Sequence, residues 1–86
     1  MLTSTRLIHA REFLSAHDAL ALLNFELSAY DECADCHFTS IKPSVRDGTG
    51  SNWRGASLHS DGPITGAARR IGARVVDEVR EAYNIG

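Results

Sequence analysis

Residues 20–29 read LALLNFELSA, and the fold turns on whether this stretch is a strand or a helix. Ala21, Leu23, Phe25, Leu27 and Ala29 alternate with Leu22, Asn24, Glu26 and Ser28. A period of two describes a half-buried strand, with Asn24, Glu26 and Ser28 turned outward. The run Leu20–Leu23 alone also suits a helix. The alternation beyond it favours the strand, and that assignment sets the architecture.

Two further strands follow on this reading. Cys36–Lys42 places Cys36 and Phe38 on one face and His37, Thr39 and Ile41 on the other, and Pro43 ends it because proline lacks the N–H a ladder needs. Asn52–His59, carrying Trp53 and Leu58, is the third strand. Between them SVRDGTGS supplies turn chemistry at Asp47-Gly48 and Gly50. The C-terminus, GPITGAARRIGARVVDEVREAYNIG, shows an apolar stripe at Ile64, Ala68, Ile71, Val75, Val79 and Ala82, which predicts an amphipathic helix. Pro63 suits its first turn, Asp61, Gly62 or Thr65 its cap, and Gly86 its stop. Gly66, Ala67 and Gly72 are small enough to let it approach another element closely. Leu7, Ala10 and Leu14 suggest a short N-terminal helix ending near Ser15–Asp18. The sum is α+β: a small three-stranded antiparallel β-meander with the C-terminal amphipathic helix packed on one face and a short N-terminal helix.

The chain has 86 residues, which predicts a single domain over 1–86 with a modest core and makes support from a second subunit, a metal or a crosslink plausible. Its 43% hydrophobic and 23% charged residues are those of a soluble globular protein. The opening MLTSTRLIHAREFL has no apolar signal region, and nothing approaches membrane-spanning length. The expected compartment is the cytoplasm, where the two cysteines remain thiols.

Cys33-Ala34-Asp35-Cys36-His37 spells C-x-x-C-H, the haem-attachment pattern of c-type cytochromes. That attachment needs all three side chains on one side of a short helical segment. Here the motif falls at a turn between predicted strands, and the one methionine is Met1, leaving His9, His17 or His59 as the second axial ligand. Haem is therefore set aside. A zinc site is the next reading: Cys33, Cys36, His37 and a distant His59, with Asp31, Glu32 and Asp35 as spare oxygen ligands. It lacks the second spaced pair usual in such sites, and His37 should point away from Cys36 on a strand. A thioredoxin-like dithiol would need a strand–helix context. The favoured reading is structural, with Cys36 in the core and Cys33 in an acidic turn. An enzyme reading pairs Cys36 with His59, or Cys33 with His37, as nucleophile and base, with Asp61 or Asp47 orienting the histidine.

Charge is unevenly distributed. The formal net charge is −2, with residues 1–41 at −4, residues 42–74 at +4 and residues 75–86 at −2. The C-terminal helix carries Arg69 and Arg70 early and Asp77, Glu78 and Glu81 late, against the helix dipole. An anion held at the helix start would account for this order. The loop VRDGTGSNWR adds Arg46 and Arg54, with Trp53 as a flat stacking surface. Plain salt bridges, or an interface between acidic and basic surfaces of two subunits, explain the same asymmetry. No basic run or nucleic-acid signature is present.

The expectation is a small non-enzymatic binding protein, homo-oligomeric, that holds an anionic small molecule of nucleotide type or a protein partner and acts by sequestration or inhibition. Its ligand residues are Arg46, Trp53, Arg54, Arg69 and Arg70, with Tyr83 a second stacking surface, and it needs no cofactor. The zinc-stabilised module on Cys33, Cys36 and His37 and the Cys/His enzyme are the alternatives.

Overall fold

Ser15 is where the reading of residues 20–29 changes. In the computed structural model, which describes residues 11–86, its side chain accepts a hydrogen bond from the Asp18 N–H at 3.0 Å and caps a helix. The chain runs β1 (Glu12–Leu14), α1 (Ala16–Leu27), a 3-10 turn over Asp31–Cys33, β2 (Cys36–Pro43), β3 (Trp53–Ser60), α2 (Gly66–Ala82) and β4 (Tyr83–Ile85). The class is α+β, but the expected first strand is α1.

The physical reason lies in spacing and residue type. Ala19, Leu23 and Leu27 follow at steps of four and are buried, while Ala21 and Phe25, which alternation would place inside, are exposed. Residues 16–27 contain no Val, Ile or Thr, and a cap with an acid in the first turn precedes the apolar stripe. The expected N-terminal helix falls partly outside the described residues. Within them Glu12–Leu14 are extended, paired in parallel with Tyr83–Ile85.

β2 and β3 form the antiparallel hairpin that the turn residues predict. A register irregularity between Phe38 and Ser40 changes the facing of β2. Ile41 therefore packs against the core with Cys36 and Phe38, where simple alternation put it with His37. The connecting loop turns at Gly50, whose φ of 88° is the left-handed region glycine tolerates.

α2 is the helix the apolar stripe predicts, begun by Thr65, whose side chain accepts from the Ala68 N–H at 3.1 Å. It stops at Ala82, earlier than the glycine signal implied, because Tyr83–Ile85 are drawn out as β4 beside β1. Gly72 is buried against the hairpin: a Cβ there would stand 3.4 Å from Leu58 Cδ2 and 3.7 Å from Phe38 Cζ. The core gathers Leu23 and Leu27 of α1, Cys33, Phe38, Trp53, and Ala68, Val75, Val76 and Val79 of α2. No helix among the described residues is long and apolar enough to cross a membrane.

Asn24 faces inward from α1 and meets β2 edge-on. The Phe38 N–H donates to its Oδ1 at 2.7 Å, and its Nδ2 donates to the Phe38 carbonyl at 3.0 Å. One side chain thus takes the two groups a neighbouring strand would take.

Candidate binding groove

Three cations from three elements line one groove beside β3. Lys42 of β2, Arg54 of β3 and Arg69 of α2 line a groove of about 600 Å³ between β3 and α2. All three residues are exposed. The floor is apolar, built from Phe38, Ala56, Leu58, Ile64 and Val76, and Asp77 stands on the helix side. Lys42 pairs across the hairpin with Gly55, whose missing side chain leaves open the way over β3 into the groove. On α2, positions 69, 72, 73, 76 and 77 fall on one stripe, which is why Arg69 and Val76 share this wall.

The backbone of β3 is part of the groove, whose lining includes each residue from Arg54 to Leu58. The bonds from Asn24 identify which groups point where. Phe38 turns its N–H and C=O away from β3, so the Phe38–Leu58 pair is a non-hydrogen-bonded one, and Leu58 presents its own N–H and C=O to the opposite edge. Ser57, by contrast, turns toward β2, where Thr39 Oγ1 donates to its carbonyl at 3.5 Å. Alternation then directs Ala56, like Leu58, toward the groove.

Of the residues expected to bind an anion, Arg54 and Arg69 line the same groove, toward opposite ends of it, with Lys42 beside Arg54. Arg46 is exposed in the β2–β3 loop and does not line this groove. Arg70 lies on a different depression among Arg11, Arg74, Glu78, Arg80 and Glu81, and its guanidinium leans back toward Gly66 at the helix start. Trp53 is fully buried and donates Nε1–H to the Tyr83 carbonyl at 3.0 Å, so its ring is core and offers no stacking face. Tyr83 is half-buried in β4.

The C-x-x-C-H residues divide between two sides of the sheet. Cys33 is buried under α2, with the Ala68 carbonyl 3.9 Å from its Sγ, and Cys36 packs beside it. His37 and His59 are a cross-strand pair on the outer face, ring centroids 5.2 Å apart, with His59 Nε2 3.8 Å from Asp61 Oδ1. Strand alternation separates imidazole from thiol, so neither Cys36–His59 nor Cys33–His37 comes together as nucleophile and base. Among the described residues no three His, Cys, Asp or Glu side chains are grouped to hold a metal ion. Asp47 is engaged in the loop, where Thr49 donates to Oδ1 from both its hydroxyl (2.5 Å) and its N–H (2.8 Å). Those bonds, with Arg80 nearby, hold its carboxyl below the usual carboxylate range.

Both cysteines are free. Burial first, then neighbouring Cys36 and Glu32, pushes the Cys33 thiol up. Iodoacetamide on the native protein is expected to label Cys36 well before Cys33, read by peptide mass spectrometry, with the difference erased in urea. Equal native rates would mean that the Asp31–Cys33 turn opens readily.

The residues missed by sequence reading are Lys42, Asn24, Asn84 and Arg80. Arg80 is the most connected: Nε donates to the Trp53 carbonyl at 2.8 Å and Nη2 to Asp47 Oδ2 at 3.2 Å, while its own carbonyl accepts from Arg11. Its place in the last turn of α2 was the available signal. No protein-family model, curated protein or solved structure matches this chain.

Proposed function

We propose that the protein is a non-enzymatic binding protein whose β3–α2 groove holds an anionic ligand or the acidic part of a partner, acting by sequestration or inhibition. The observation that carries this reading is the placing of Lys42, Arg54 and Arg69 along one groove with an apolar floor. Charges on separate elements do not gather through local sequence. A cleft with an excess of positive charge, here three cations to one acid, focuses its field on an incoming anion. Asp77, three residues before the Arg80 that bonds the Trp53 carbonyl, stands toward the Arg54 end of the groove and limits the field there, which leaves Arg69 at the other end the less opposed cation.

The test uses ATP and an acidic peptide as probes, followed by amide chemical shifts of the labelled protein. At least one probe is expected to move the signals of Gly55–Leu58 and Arg69–Ala73. Arg54→Glu with Arg69→Glu is expected to weaken that binding by about a hundredfold or more, since each charge-assisted bond contributes about 1.5–3 kcal/mol. Arg70→Glu, on the other depression, should bind as the parent does. Unchanged binding by the double variant with an intact circular dichroism spectrum would overturn the reading.

A further inference from the structure

The hairpin has two edges and they are not equivalent. The β2 edge is occupied at Phe38 by Asn24. The β3 edge presents Ala56 and Leu58 to the groove, and among the described residues no hydrogen bond outside the β2–β3 ladder reaches the N–H or C=O of either. A row of outward donors and acceptors beside a helix is the setting in which extended peptides add to sheets.

We infer that the occupant of the groove is an extended acidic segment of a partner protein, which adds as a third strand along β3 and is flanked by α2. This rests on the groove being the binding site proposed above and specifies what it takes. The dimensions fit. Arg54–Leu58 spans about 13 Å at the rise of a strand, and Arg69–Asp77 spans about 12 Å at the rise of a helix. Both walls therefore run the length of about five extended residues.

Main-chain bonds to Ala56 and Leu58 supply affinity without regard to sequence. Selectivity comes from alternate side chains of the added strand. One set turns to the apolar floor at Ile64 and Val76. The acids lie against Lys42 and Arg54 toward one end and Arg69 toward the other, the cations that line the groove among the described residues. A compact anion reaches the charge at one end of the groove only and leaves the β3 main chain unpaired.

The test compares a seven-residue peptide alternating valine and glutamate with ATP and with the same peptide carrying lysine for glutamate. The glutamate peptide is expected to slow hydrogen exchange of the Ala56 and Leu58 amides by about tenfold or more, while ATP shifts nearby signals without slowing them. Ala56→Pro removes one outward N–H at an edge position that proline tolerates, and is expected to abolish peptide binding while ATP still shifts Arg54 or Arg69. If that variant fails to fold, the parent's exchange data decide alone.

Peptide binding that leaves both amides unprotected would overturn strand addition and leave the anion groove standing. Equal protection by the lysine peptide would overturn the acidic preference. Concentration-dependent protection of the two amides with no peptide added would make a second copy of this chain the occupant. Loss of every response, ATP included, would remove the groove reading itself.

Discussion

Trp53→Ala is expected to cost about 3–5 kcal/mol, the range for removing a buried large aromatic side chain. The ring is completely enclosed, and its N–H satisfies the Tyr83 carbonyl. Domains of this kind are stable by about 5–15 kcal/mol in all, so the variant should be close to unfolding at room temperature. Urea denaturation followed by far-ultraviolet circular dichroism measures it. Trp53→Phe separates the two contributions: it keeps most of the ring and loses the N–H, for an expected cost of about 1–2 kcal/mol. A loss below about 1 kcal/mol for the alanine variant would contradict the placement of Trp53 at the centre of the core.

Asn84→Ala is the second large effect, expected at about 1–3 kcal/mol from two part-buried backbone groups left unpaired. Asn84 is only 2% exposed. Its Oδ1 accepts from the Asn52 N–H at 3.2 Å and its Nδ2 donates to the Gly50 carbonyl at 3.0 Å. Asn52 returns the arrangement, donating from Nδ2 to the Ile85 carbonyl at 2.7 Å and accepting from the Ile85 N–H at 2.9 Å. The two amides hold the β2–β3 loop against β4. Beyond the stability loss, trypsin should cut after exposed Arg46 in that loop faster in the variant, at protein concentrations where the fold is retained. An unchanged cleavage rate would show that the loop is held by Arg80 and Asp47 without the asparagines.

α2 was legible because five apolar positions at helical spacing admit no other period, and the hairpin because Pro43, Asp47-Gly48 and Gly50 punctuate it. α1 was misread because Leu23 and Leu27 satisfy a spacing of two and of four at once. The absence of β-branched residues and the cap at Ser15 were the discriminating signals. β1 and β4, three residues each, are too short for any period to register. In the groove, Arg54 and Arg69 followed from the charge asymmetry. Lys42 did not, because only the hairpin register brings it opposite Gly55. Trp53 reads as a stacking surface because it adjoins Arg54 after a glycine-rich loop, whereas its burial is decided by helices far away in the chain.

The Asn24–Phe38 pairing has a consequence in the terms of polymer chemistry. A sheet with two free edges is a bifunctional monomer, able to accept a strand on each side and so to grow without limit. By capping one edge at Phe38, Asn24 makes this hairpin monofunctional there, and a monofunctional unit forms a finite adduct and stops. An asparagine that looks like a minor helix residue thereby closes the hairpin to a further strand at that point of its β2 edge.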